Sequence, residues 1–111
     1  MYYEMHCEGF QPTEALTDYT RSEVEELSAK VPDKLKLQIY FKQEAPHVFS
    51  CVFHASIWKK KFVIKETGAD LYGAIHAARK SLEVQVHRIK EKRKDLQRKP
   101  VLEDFQSSTR H

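Results

Sequence analysis

The chain has 111 residues, 41% hydrophobic and 32% charged, with a formal net charge of +3, a length that suits one modest core and not two. No apolar run approaches the roughly 20 residues of a membrane span, and the opening Met1-Tyr2-Tyr3-Glu4-Met5-His6 lacks the basic, apolar, then small-residue order of a signal peptide, so a cytoplasmic protein is expected. Its two cysteines, Cys7 and Cys51, lie in strand-like runs without metal-ligand spacing and read as reduced, buried thiols.

In chain order, Tyr2 to Glu8 alternates, with Tyr3, Met5 and Cys7 on one face, as a half-buried strand does. Gly9 and Pro12 stop it. Thr13 is a good N-cap for an amphipathic helix with apolar positions at Leu16, Tyr19, Thr20, Val24 and Leu27, ending near Lys30 before Pro32. From Lys34 to Lys42 the period becomes two, with Leu35, Leu37, Ile39 and Phe41 pointing one way, a strand covered on one side. Gln43 to Pro46 makes a turn, and His47 to Trp58 alternates again with Phe49, Cys51, Phe53, Ala55 and Ile57 inward. Lys59 to Lys61 reads as a tight hairpin, although the glycine or asparagine that such turns prefer is missing, and Phe62 to Ile64 as a fourth strand.

Asp70 to Leu96 reads as one long helix. Leu71, Ile75, Ala78, Leu82, Val86, Ile89 and Leu96 keep a single apolar stripe, and Asp70 can cap the start. Pro100 lies beyond it. Residues 1–99 therefore form one domain, and residues 100–111 a mobile polar tail. The order β-α-β-β-β-α gives an α+β fold, a four-stranded sheet with two helices packed on one face. The other face would show Tyr40, His54 and Trp58 among Lys34, Lys36, Lys42, Lys61 and Lys65.

Chemistry is poorly represented. There are three scattered glycines and no phosphate loop, no Cys-x-x-Cys, and no His-Glu-x-x-His. His47 and Cys51 share a strand face but stand roughly 13 Å apart, too far to share a metal. No nucleophile is paired with a base, so an enzyme is not expected.

Binding is better supported, because charge is unevenly placed. Met1 to Val31 holds two basic and seven acidic residues, whereas Asp70 to Lys99 holds nine basic and four acidic ones. Such a chain can meet a polyanion with one side. At about 100° per residue, Arg79, Lys80, His87, Lys90 and Lys94 share one flank of the long helix with Tyr72 and His76, while Arg88 and Lys92 fall on the other side of the stripe. A row of cations along a helix can follow a nucleic-acid backbone. A solvated, lysine-rich helix end has the same composition.

The order of elements and several local signatures resemble the ribosome hibernation-promoting factors, also called ribosome-associated inhibitors or sigma-54 modulation proteins. The resemblance covers about residues 1–94. It is carried by the first strand, by Thr13, Ala15, Leu16 and Tyr19, by the long alternating hairpin, and above all by Asp70-Leu71-Tyr72-Gly73-Ala74-Ile75 followed by Leu82-Glu83-x-Gln85. It implies a β-α-β-β-β-α sandwich like a double-stranded-RNA-binding domain. It also implies binding to the small ribosomal subunit (16S rRNA) near the decoding centre, where mRNA and tRNA positions are blocked in idle cells.

No cofactor, metal, catalysis, membrane or small-molecule substrate is implied. The rRNA-binding residues expected on this basis are Arg79, Lys80, Arg88, Lys90, Lys92, Arg93 and Lys94, assisted by Lys36, Lys59, Lys60 and Lys61. The chain departs from the family's pattern at Ser81, Val84, Thr17, Glu23 and Glu26, where basic residues are usual. Without the second, dimerising domain of the long members, it resembles the short forms. The alternative is a paralogue on the same fold that binds a protein through the acidic first helix and the Tyr40 and Trp58 face.

Overall fold

The computed structural model describes the backbone of residues 1–107 and the side chains of residues 1–93. Its elements are β1 (Tyr2–Glu8), α1 (Glu14–Ser28), β2 (Lys36–Ala45), β3 (Val48–Ile57), β4 (Lys60–Gly68) and α2 (Leu71–Ser107). The four strands form one sheet in the order β1-β2-β3-β4. β1 and β2 are parallel and the other pairs antiparallel, so α1 supplies the crossover that a parallel neighbour requires. The expected α+β architecture, two helices on one face, is the one observed.

Local chemistry explains each boundary. β1 ends at Gly9, whose φ of 89° is open to glycine. The Thr13 hydroxyl accepts a hydrogen bond from the Leu16 N–H at 3.0 Å, satisfying one of the unpaired donors of the first turn of α1. Asp70 does the same for α2, accepting from the Tyr72 N–H at 2.9 Å. The core lies between helices and sheet. Leu35, Leu37, Ile39, Phe41, Cys51 and Phe53 of the sheet region meet Leu16, Val24 and Leu27 of α1 and Ile75, Ala78, Leu82 and Val86 of α2. Burying each large apolar side chain contributes about 1.5–3 kcal/mol.

Four boundaries differ from expectation. β2 runs on to Ala45, so Gln43 and Glu44, which read as turn, are strand, with the register shift of a bulge between Gln43 and Ala45. The β3–β4 hairpin turns through Trp58 and Lys59, because Ile57 pairs with Lys60, so Lys60 and Lys61 belong to the strand. Both turn residues have positive φ, 52° and 63°, the conformation a two-residue turn needs in order to match strand twist. β4 is longer than the apolar run Phe62 to Ile64, since its outer positions carry polar residues on an edge strand. α2 continues past Pro100 to Ser107. The expected boundary at residue 99 and the tail from residue 100 fall where side chains lie outside the described residues.

Topology then orders the two ends of the molecule. α1 and α2 run side by side in the same direction, as shown by Tyr19 against Tyr72 and Lys30 against Glu83. From Leu71 to Arg93, α2 advances about 33 Å, and β4 covers about 27 Å. α2 therefore returns along β4 and reaches the hairpin tip at Arg93, whose guanidinium carbon lies 4.5 Å from the centre of the Trp58 ring.

Candidate nucleic-acid interface

The hairpin end collects most of the predicted cations. Lys59 and Lys60 sit in and beside the turn, and Arg93 is clasped to it through Trp58. On the open face of the sheet Lys36 pairs with Ser56 and Ser56 with Lys61, which places both lysines at this same end. Lys90 and Lys92 lie within a turn of Arg93 on α2, and Arg88 is exposed just before them. Among the described residues Lys36, Lys59, Lys60, Lys61, Lys90 and Lys92 have no carboxylate within ion-pair distance. Unpaired ammonium groups gathered at one end of the fold are free to displace counterions from phosphates.

Arg79 does not join this group. The helical projection places it on the polar flank, but that flank packs on α1, and Arg79 is only 5% exposed. Its Nε donates to Glu23 Oε1 at 2.6 Å, and its Nη1 also donates to Glu83. Burial pulls the Arg79 pKa down, but the hydrogen bond and charge of Glu23, with Glu83 beside it, more than offset this and leave it raised. The guanidinium is thus a fixed internal charge. Lys80 is exposed but stands in the third turn of α2, about 20 Å from Arg93. The side chain of Lys94 lies outside the described residues.

The same pair explains one departure in the sequence. Glu23, a reversed charge where the resemblance leads one to expect a basic residue, is buried and holds Arg79 and His76. Lys30 reaches both Glu26 and Glu83. The groove between the helices is therefore a neutralised network and not a positive channel. Val84 is exposed and Ser81 half-buried, so neither adds charge.

The open face carries a second set of groups. His6 stacks on Tyr40, with centroids 4.9 Å apart and planes at 16°, and His54 meets Tyr40 edge-on at 5.1 Å. Trp58 does not join them as expected, because it is turned against Arg93 of α2. Both cysteines are free thiols, Cys7 half-buried and Cys51 buried. Burial raises the pKa of Cys7, and burial with nearby Glu66 pushes Cys51 up to about 12. The described residues contain no group of His, Cys, Asp and Glu that could hold a metal. Among them, no helix is long and apolar enough to cross a membrane.

Sequence reasoning missed two contacts. The signal for the Arg93–Trp58 clasp was present, since Arg93 continues the apolar stripe of Leu82, Val86 and Ile89 at steps of four, three and four. The Glu23–Arg79 pair joins residues 56 positions apart and left no local trace.

The family model described as Sigma 54 modulation protein / S30EA ribosomal protein matches residues 3–94. The chain belongs to this family. Among solved structures, the Thermus thermophilus Protein Y N-terminal domain is similar with a TM-score of 0.68 and 24% identity, over 77% of this chain and 93% of that one. A ribosomal subunit interface protein from Coxiella burnetii is similar with a TM-score of 0.71 and 18% identity, over 82% and 99%. At these identities the two structures show that this sigma 54 modulation family member shares their fold. No curated protein matches the chain.

Proposed function

We propose that this chain is a hibernation-type factor that binds the small ribosomal subunit (16S rRNA) near the decoding centre and blocks mRNA and tRNA binding. Its family is one of ribosome-associated modulation proteins, a non-catalytic kind. It would act where ribosomes are, in the cytoplasm. The observation that carries the reading is the gathering of unpaired cations at the hairpin end, from three separate parts of the chain. Lys59 and Lys60 of the tip, Lys36 and Lys61 of the sheet, and Arg88, Lys90, Lys92 and Arg93 of α2 would contact rRNA phosphates, with Lys94 extending the row. The mechanism is steric and electrostatic and needs no cofactor.

Co-sedimentation with purified small subunits tests it. Association at low salt that weakens steeply as salt rises is expected. Absence of association even at low salt would overturn the reading. The neutralised inter-helix groove and the exposed Glu25 and Glu26 of α1 favour, as a second reading, a protein adaptor that engages a partner through α1. An RNA-independent partner whose capture survives Arg88→Ala with Lys90→Ala would support that reading instead.

A further inference from the structure

The uncovered face of the sheet carries two clefts, one on each side of the ring row formed by His6, Tyr40 and His54. The cleft toward β2 and the Glu8 end of β1 contains Lys42 and Lys65, and both are neutralised: Lys42 lies 3.5 Å from Glu8 and Lys65 3.5 Å from Glu44. The cleft toward the hairpin end has a volume of about 470 Å³ and is lined by Lys36, Lys61, Ser56 and His54. Its one carboxylate, Glu4, already accepts from the Tyr2 hydroxyl at 2.8 Å and lies 3.3 Å from His6. Lys36, Ser56 and Lys61 stand in register across three strands, so the two lysines flank a hydroxyl across about 10 Å. The two clefts differ in charge, and the ring row lies between them.

That combination matches a particular polymer. Single-stranded RNA offers flat bases that stack on aromatic and imidazole rings, and phosphates spaced along the same strand. Duplex RNA hides its bases and cannot use the rings. We propose that this sheet face is a second RNA-binding surface that takes a short single-stranded segment, stacking bases against His6, Tyr40 and His54 and seating a phosphate between Lys36 and Lys61. The stack is already ordered, because Tyr40 is fixed by its hydroxyl donating to Gln38 at 3.1 Å as well as by the two imidazoles. A base adds to it without first immobilising the tyrosine, which removes part of the ordering cost of binding. The surface is separate from the α2 cations proposed for subunit docking and shares only Lys36 and Lys61 with the docking set.

Fluorescence anisotropy of the full chain with a labelled short oligouridylate at low salt tests the proposal. Tyr40→Ala and His54→Ala should each weaken binding roughly 5- to 150-fold, the range of one lost base stack. Both residues are exposed, so the variants keep the core, and circular dichroism checks that they do. Arg88→Ala with Lys90→Ala should leave oligouridylate affinity within about twofold while reducing co-sedimentation with small subunits, the reverse of what Tyr40→Ala does. Cross-linking of the oligonucleotide to β1, β2 or β3 peptides would support the assignment. It is overturned by no binding at low salt, by an unchanged affinity in Tyr40→Ala, or by cross-links confined to α2. It is also overturned if inorganic polyphosphate binds as tightly and with the same loss in Lys36→Ala, since the rings would then contribute nothing.

Discussion

At the scale of single residues, the hairpin tip holds the most informative strain in the molecule. Trp58 and Lys59 both take a left-handed backbone that glycine or asparagine adopts at less cost, and the penalty for an ordinary side chain is about 1–2 kcal/mol per residue. The Trp58 ring recovers part of this by receiving Arg93, a cation–π contact worth about 0.5–1 kcal/mol at an exposed site. Lys59 has no such contact and remains charged and unpaired at the tip. Replacing it by glycine should relieve the strain, offset partly by the greater freedom of glycine in the unfolded chain. Lys59→Gly is expected to raise stability by about 1 kcal/mol, or roughly 4–8 °C in Tm, in thermal unfolding. If Lys59 is kept for phosphate binding, the same variant should co-sediment less well with small subunits. A variant both more stable and equally bound would show that the lysine is not a ligand.

At the scale of elements, the two helices are joined by a charge pair that the pattern of either helix alone could not reveal. Arg79 is buried and Glu23 nearly so; removing one partner leaves the other charged and desolvated, which costs about 3–5 kcal/mol where no second partner exists. Because Glu83 also reaches Arg79, Glu23→Ala should cost about 2 kcal/mol, measured by urea unfolding. Glu23→Leu with Arg79→Met should recover most of the loss, since replacing both charges by apolar groups is often neutral. This double variant should bind small subunits as the parent does, and weakened binding would return Arg79 to the set of rRNA ligands.

The limits of sequence reading lie at this same scale. Alternation in Leu35 to Phe41 and in Phe49 to Ile57 shows which side of a strand is buried, and the apolar stripe of α2 shows which side meets the sheet. Neither shows which neighbour lies beside an element. Arg79 therefore read as solvent-facing, although Glu23 of α1 covers it, while Tyr72 and His76 touch Tyr19 and Glu23 and stay exposed. The parallel pairing that sets His6 beside Tyr40 was invisible for the same reason. The basic group, by contrast, was legible as residue types, because lysines at a hairpin and at a helix end remain exposed whatever their neighbours.

At the scale of the whole molecule, the fold converts an uneven sequence into a polar one. Both helices and β4 are arranged so that the ends of β4 and α2 richest in cations reach the same point, while the acidic residues of α1 lie along the far side of α2. Long-range attraction to a polyanion is therefore oriented before contact, and affinity should follow the number of phosphates neutralised at that end. Each lysine lost from the contact should reduce the slope of log K against log salt by about 1. Changing Lys59, Lys60 and Lys61 together to alanine should then flatten the slope for small-subunit binding by about 2–3. Lys80→Ala is the discriminating control, because Lys80 is equally exposed and charged but stands about 20 Å from the hairpin end. If binding instead follows the flank of α2, Lys80→Ala should flatten the slope as much as any one of the hairpin lysines. If the hairpin end is the docking surface, Lys80→Ala should leave the slope unchanged, and a titration over a fourfold range of salt separates the two outcomes.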